Sequence, residues 1–310
     1  MKLSVIIPTK NRAVLLGKAL ESILTQSLSQ NEFEVIIVDN GSIDNTKEIF
    51  LEYKPKIKNI SYFYEKEPGL HVGRHKGMKE ARSDILVYLD DDVELFPQHL
   101  KNVLESFKDN EVVLVGGKNL PKYETTPPNW IEKIWNRNTS EKFIWSLSIL
   151  DFGDEIKEID ANYVFGCNFS IRKEILIQTQ GFHPDAMPYE LIKYRGDGET
   201  YVTRYVNESH YKAVYNPLVS IYHFVPNNRM TEEYFCKRMY SQGISDSYTK
   251  LRAYKKFSNL KDREDKKIKN VISLDEKMYN AYLDGYIYHQ KECKKDSELM
   301  KWVLKDGYYD

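Results

Sequence analysis

Over the first 120 residues, short apolar runs alternate with stretches whose apolar positions recur every three or four residues. Residues 3–8 form a compact apolar run closed by Pro8, the pattern of a short buried strand. Residues 13–28 follow, with Leu16, Ala19, Leu20, Ile23 and Leu24 on one face of a helix. Residues 33–38, rich in β-branched side chains and closed by Asn40-Gly41, predict a second strand. Ile43, Thr46, Ile49, Phe50 and Tyr53 mark the apolar face of a second helix. Further strands are expected at 60–64, 85–89 and 112–115, with helices over 74–81 and from Pro97, since proline suits a first helical turn. Residues 118–160 are irregular; a strand near 163–171, a helix near 199–206 and a strand near 213–222 follow. From Thr231 the chain reads as helical, charged and tyrosine-rich. Strand–helix alternation of this kind predicts an α/β fold. It has a mostly parallel central sheet covered by helices on both faces, and a helical C-terminal extension.

In such sheets ligands bind at the carboxyl ends of the strands. Polar clusters occupy those ends here: residues 9–12, 39–44, 65–69 and 90–92. Composition changes the picture little. The net charge of −1 argues against a nucleic-acid groove, and 41% hydrophobic residues are enough for a full core. Cys167, Cys236 and Cys293 have no metal-ligand spacing, which predicts free thiols in a reducing cytoplasm. No apolar run approaches the roughly 20 residues that span a bilayer, and the N-terminal run is too short for a secretory signal. Any membrane association is therefore expected to be peripheral, at the inner face. The lysines of residues 261–269 alternate with acids and read as a solvated helix face.

The chemistry concentrates in four segments. Asp90-Asp91-Asp92 places three carboxylates after a strand, where they form either a solvated turn or hard oxygen ligands for Mg²⁺ or Mn²⁺. An extended strand end would put Asp90 and Asp92 on one side. Residues 39–46 serve equally well as a turn with an N-cap or as a carboxylate facing a ribose. Residues 69–77 carry Gly69, Gly73 and Gly77 with Arg74 and Lys76, suited to close approach by phosphate or base, yet match neither dinucleotide nor P-loop fingerprints. Asp197 and Glu199 stand at a helix start, where they can cap it and the macrodipole helps keep either one ionised.

Taken in order, SVIIPTKNR, VIIVDNGSIDNT, GLHVGRHKGMKEA, ILVYLDDDV and FGCNFSIRKEIL with Gln180-Gly181-Phe182 resemble the family 2 glycosyltransferases over roughly residues 1–225. That resemblance implies a GT-A fold, a Rossmann-like nucleotide-binding sheet with a D-x-D metal motif. It implies a catalytic domain at 1–228, with a nucleotide-sugar half at 1–117 and an acceptor half at 118–228, and a helical region at 229–310. By position, Pro8, Thr9, Asn11, Arg12, Asp39, Ser42, Glu65, Arg74, Asp90 and Asp91 would bind the nucleotide. Asp92, with His223, would hold Mn²⁺ or Mg²⁺. The base would be Asp197, aligned through Arg204, or else Glu199. Trp130, Trp135, Asn168 and Arg229, with Trp145 and Arg238 beside them, would face acceptor or diphosphate. His75 replaces a common asparagine. The implied partners are a nucleotide-sugar donor, UDP-linked by expectation, and a glycan or glycolipid acceptor; nucleic acid is not one. The C-terminal helices would shape acceptor recognition, a lid or a homo-oligomer interface. Lacking Q-x-x-R-W, the chain would add single sugars. A nucleotidyltransferase would carry a glycine-rich loop where Pro8 and Thr9 stand; a non-catalytic glycan-binding module would lack the metal site or the base.

Overall fold

The computed structural model describes residues 1–137 and 140–308. Seven consecutive buried residues make strand β1 (Leu3–Thr9), helix α1 (Ala13–Leu24) returns, and a second fully buried run makes β2 (Phe33–Asp39). The alternation continues through α2 (Thr46–Tyr53), β3 (Ile60–Tyr64), α3 (Leu70–Glu80) and β4 (Ile85–Leu89). After the acidic cluster come β5 (Val93–Leu95), α4 (His99–Ser106), β6 (Val112–Gly116), β7 (Asn119–Tyr123), α5 (Asn129–Trp135), β8 (Lys142–Ile144), β9 (Ile149–Asp151) and β10 (Lys157–Glu158). The second half supplies β11 (Asn168–Arg172), α6 (Lys173–Gln178), α7 (Glu199–Glu208), β12 (Lys212–Tyr215) and β13 (Ile221–Val225). The helices α8 (Glu232–Tyr254), α9 (Leu260–Glu264), α10 (Leu274–Lys295) and α11 (Ser297–Val303) end it.

The large sheet has the order β10-β12-β6-β11-β4-β1-β2-β3. Its β4-β1-β2-β3 part is parallel, while β11 runs antiparallel to both β4 and β6. Leu3, Val5 and Ile7 face one core layer and Ile6 the other, so β1 is buried on both faces. A smaller sheet, β5-β13-β7-β9-β8, lies alongside.

Three local expectations are corrected. The run at 213–222 is not one strand: the Asn216-Pro217 turn, closed by Val219 N–H on the Asn216 carbonyl, sends β12 and β13 into different sheets. Ile43 is not on a helix face; it is 94% exposed, and α2 starts at Thr46, whose N–H and hydroxyl are held by Asp44. The third helix begins at Leu70 rather than 74, so Gly73 and Gly77 lie inside it, against β1. A Cβ on Gly77 would come 2.3 Å from Ile6 Cγ2, and one on Gly73 3.1 Å from Pro8 Cβ. Those glycines bring helix and strand together and do not cradle phosphate.

In the C-terminal region α8 and α10 run side by side in the same direction: Glu232 pairs with Lys277 at one end and Ser247 meets His289 toward the other. Gly243 and Gly285 permit the contact, since a Cβ on either would fall about 2 Å from a carbonyl of the facing helix (2.0 and 1.9 Å). Helix α8 packs on the residues before α7. Ser245 donates to the Gly196 carbonyl at 2.7 Å and Thr249 to Asp197 at 2.8 Å.

Candidate active site

A cavity of about 410 Å³ opens at the carboxyl ends of β1, β2 and β4, where the polar clusters converge. Asn11 takes a left-handed turn (φ 54°), tolerable for asparagine, and its backbone and side chain tie to Ser42 Oγ and Ile43 N–H. The chain therefore turns so that Arg12 crosses to the acidic cluster, its Nη1 2.9 Å from both Asp91 Oδ1 and Asp92 Oδ2. Thr9 also donates to Asp91, at 2.7 Å. Asp90 faces elsewhere, accepting from the buried Arg74 at 3.0 Å. The expected pairing of Asp90 with Asp92 is thus replaced by Asp91 with Asp92. Residues 90–92 form a turn between β4 and β5, without the strict alternation of an extended strand.

Burial and the neighbouring Asp92 push Asp91 up to about 6 against the pull of Arg12 and Thr9. Burial works on Asp92 too. The polar contact and charge of His223, then Arg229 and Arg12, nevertheless hold Asp92 well below the usual carboxylate range. His223 Nε2 sits 3.4 Å from Asp92 Oδ1 and Arg229 3.2 Å from Oδ2. Asp92 Oδ1 and His223 Nδ1 are buried without a hydrogen-bond partner. A carboxylate and an imidazole converging with a free oxygen fit a divalent cation.

Across the cavity stands Glu199. Its Oε2 is 3.2 Å from His71 Nε2 and 3.6 Å from Arg74, and a Cβ on Gly166 would lie 2.4 Å from Oε1. Glycine at 166 is what leaves that oxygen room. Burial would raise the Glu199 carboxyl, but the close polar contact with His71 and the Arg74 charge outweigh it and hold it below its ordinary value. Asp185 lies near: a carboxylate oxygen from each of Asp185 and Glu199 and a ring nitrogen of His71 all lie within 4.8 Å of one another. The trio could hold an ion by distance. Arg195 already pairs with Asp185 at 2.5 Å and Arg74 faces Glu199, so its negative charge is matched without one.

The cavity wall thus brings together Pro8, Thr9, Arg12, Arg74, Asp90, Asp91, Asp92, Glu199, His223 and Arg229 of the expected set. Asp197, the preferred base, is not on it. Its buried carboxylate accepts from His183 Nδ1 at 2.6 Å, from Thr249, and from Arg204. Burial opposes its charge, yet those donors hold it below its ordinary value. Both of its oxygens are committed, Oδ1 to His183 and Oδ2 to Thr249 and Arg204. Asn168 is likewise structural, donating to Asn119 and the Val219 carbonyl and contacting His99. Trp130 and Trp135 pack into an apolar cluster under α8, Trp130 edge-on to Phe235 at 4.9 Å, and neither reaches the cavity. Trp145 is 46% exposed and stacks on Tyr163, while its neighbours Ser146 and Ser148 line the wall. Asp39 spends its carboxylate on Ser42 N–H and the Tyr62 hydroxyl; Glu65 accepts from Glu67 N–H.

Sequence reasoning passed over Asn40, Asp185, Arg195 and His71. Asn40 holds the loop before α3, accepting from Gly69 N–H at 2.9 Å and donating to the Glu67 carbonyl. Its signal was present in the Asp39-Asn40-Gly41 turn. Asp185 and Arg195 sit in a stretch without periodicity, and nothing local marked them.

The sequence profile of glycosyl transferase family 2 matches residues 4–179, more than half of the chain. The chain belongs to glycosyl transferase family 2. Among relatives of this family, the glycosyltransferase AglE of Haloferax volcanii is 35% identical over 127 residues, 41% of this chain and 40% of that one. A GalNAc(5)-diNAcBac-PP-undecaprenol beta-1,3-glucosyltransferase of Campylobacter jejuni is 35% identical over 106 residues, 34% of each chain. The matches thus span 40% or less of these relatives' own length. Among solved structures, a mannosyltransferase of Pyrobaculum calidifontis in complex with GDP-Man and Mn²⁺ superposes with TM-score 0.57 at 17% identity, covering 98% of this chain and 72% of that one. S. aureus TarS 1-349 in complex with UDP gives 0.51 at 16%, covering 95% and 92%. The fold is GT-A. Among the described residues no helix is long and apolar enough to cross a membrane.

Proposed function

We propose that this family 2 protein transfers a single sugar, with inversion, from a nucleoside-diphosphate sugar to a hydroxyl of a glycan or lipid-linked acceptor. The carrying observation is one cavity with Asp92 and His223 on one wall and an ionised, partly exposed Glu199 on another. A direct displacement needs that arrangement, leaving-group stabilisation on one side of the anomeric carbon and a base on the other. Nucleobase and ribose would lie along Pro8, Thr9, Asn40 and Arg74 toward Asp39, whose strand register sets it beside Thr9. Arg12, Arg229 and Arg238 would face the diphosphate; arginine suits bidentate phosphate contacts. Mn²⁺ or Mg²⁺ held by Asp92 and His223 would supply charge neutralisation at the departing diphosphate. Glu199 takes the proton of the acceptor hydroxyl, and Asp185 and Arg195 orient that acceptor. A lipid-linked acceptor would bring the protein to the inner face of a membrane, in polysaccharide or glycoconjugate assembly.

The donor half is tested by calorimetry of UDP with and without Mn²⁺, on the parent and on Asp92→Asn. Binding is expected to strengthen with Mn²⁺ in the parent and to lose most of that gain in Asp92→Asn. Equal binding with and without the cation would remove Asp92 and His223 as its site. GDP run in parallel decides the nucleotide, since one structural neighbour holds GDP-Man and another UDP. Failure of UDP, GDP and dTDP alike would favour a non-catalytic module.

A further inference from the structure

His71, on α3, is fully buried, and its ring stacks on Phe182 with centroids 5.0 Å apart. Its Nε2 lies 3.2 Å from Glu199 Oε2, within ion-pair distance, although neither Nε2 nor Nδ1 makes a hydrogen bond of good geometry. Only one neutral tautomer suits that setting. A proton on Nδ1 would bury a donor without an acceptor and turn the Nε2 lone pair toward a carboxylate, two penalties at once. A proton on Nε2 leaves only a bare acceptor at Nδ1 and turns a donor toward the Glu199 carboxylate 3.2 Å away, the charge-assisted arrangement. The carboxylate is therefore divided: Oε2 faces His71 and Arg74, while Oε1 lies beside Gly166, and Glu199 and Gly166 both line the cavity.

We propose that His71 is the positioning residue of the transfer site, its Nε2–H holding Glu199 Oε2 so that Oε1 alone meets the acceptor hydroxyl. This rests on the reading of Glu199 as the base. The imidazole neither takes nor gives a proton in the step; the hydroxyl proton passes to Oε1 as the new glycosidic bond forms. A carboxylate held by one oxygen keeps its other lone pairs aimed, and small losses of aim at a base are costly in rate. Among the described residues, the charged and titratable groups facing Glu199 are His71 and Arg74 from α3, Cys167 just before β11, and Asp185, with its partner Arg195, from the segment before α7. Asp90 reaches it only through Arg74.

The tautomer is read by ¹⁵N NMR of histidine-labelled protein, with His71 assigned from its absence in His71→Gln. The expected spectrum has Nε2 protonated and Nδ1 bare, and Glu199→Gln is expected to shift the Nε2 signal. A ring protonated on Nδ1, or one indifferent to Glu199→Gln, overturns the proposal. Kinetics supply the second reading, as UDP or GDP released from the nucleotide sugar the protein turns over with Mn²⁺. His71→Leu is expected to lower kcat about 10- to 100-fold, the weight of one hydrogen bond to a charged group. Donor KM should stay within about two-fold, because the lost contact acts in the step itself. The acid limb of the kcat/KM profile should move to higher pH, since losing a donor raises Glu199. His71→Gln, whose amide N–H reaches the same oxygen, should restore rate and limb. A loss in His71→Leu that Gln does not recover, with an unmoved limb, marks a packing role only and overturns the proposal. Should His71→Leu fail to fold, His71→Asn replaces it, its shorter amide falling short of Oε2. Full turnover in Glu199→Gln would instead remove the base reading, whatever the His71 variants do.

Discussion

Asp197 and Glu199 are two residues apart at the start of α7, with opposite surroundings. Asp197 is saturated by His183, Arg204 and Thr249, while Glu199 lines the cavity. Glu199→Gln should cut turnover about 10²- to 10⁴-fold, the usual reach of a general base, with the melting temperature nearly unchanged. Asp197→Asn should do the reverse, costing about 2–4 kcal/mol of stability because it leaves buried donors mismatched. The pH dependence follows from the sign of its shift. The folded pKa of Asp197 lies below its ordinary value of 3.8, so its stabilisation is present above that value and lost as pH falls through the folded one. Chemical denaturation from pH 6 down to pH 2 should show a steeper acid loss in the parent than in Asp197→Asn. Equal acid slopes would mean that the His183–Asp197–Arg204 network contributes nothing to folding. Which acid does which job was not legible in the sequence. Both sit at a helix start, and alignment through Arg204 favoured Asp197; what separates them is Thr249, contributed by a helix some fifty positions later.

Periodicity fixes helices and strands well where one face is apolar, and less well where glycine replaces side chains at a contact. Strands β1, β2 and β4 were readable as short apolar runs, and with them the acidic turn at 90–92. Helix α3 was read four residues short, because its buried face includes Gly73, Arg74 and Gly77, which carry no apolar signal. The α8–α10 contact has the same character. Gly243 and Gly285 each meet a backbone carbonyl of the facing helix, which cannot rotate away as a side chain would. Alanine at position 285 gains about 1 kcal/mol of helix propensity and loses about 1–3 kcal/mol or more to overpacking, so the second effect wins. Gly285→Ala should lower the melting temperature by about 2–4 °C for each net kcal/mol lost. A melting temperature equal to or above the parent's would show that the two helices can separate freely.

For the whole molecule, the cavity wall proposed for the acceptor depends on helices α8 to α11. Asp185, Ala186, Pro188, Arg195 and Glu199 all line the cavity, and the segment carrying them is held from behind. Trp302 donates to the Tyr194 carbonyl at 3.2 Å, Lys193 pairs with Asp296 at 3.0 Å, and Tyr248 and Tyr308 share a 2.6 Å hydroxyl contact against His183. The wall proposed for the donor, by contrast, is built mainly from strand ends and takes Arg238 alone from these helices. The two halves of the site should therefore respond separately. Trp302→Ala should raise amide hydrogen exchange across residues 189–196 by about ten-fold or more, through loss of a packed ring and its hydrogen bond. UDP binding with Mn²⁺ should stay within about three-fold, because Trp302 packs on Tyr194 and Tyr308 and shares no partner with the residues proposed for the donor. If exchange at 189–196 does not change, the C-terminal helices are not what holds the acceptor wall. If UDP affinity falls along with protection, the two walls fold as one unit, and a variant at the far end of the chain would alter donor and acceptor recognition together.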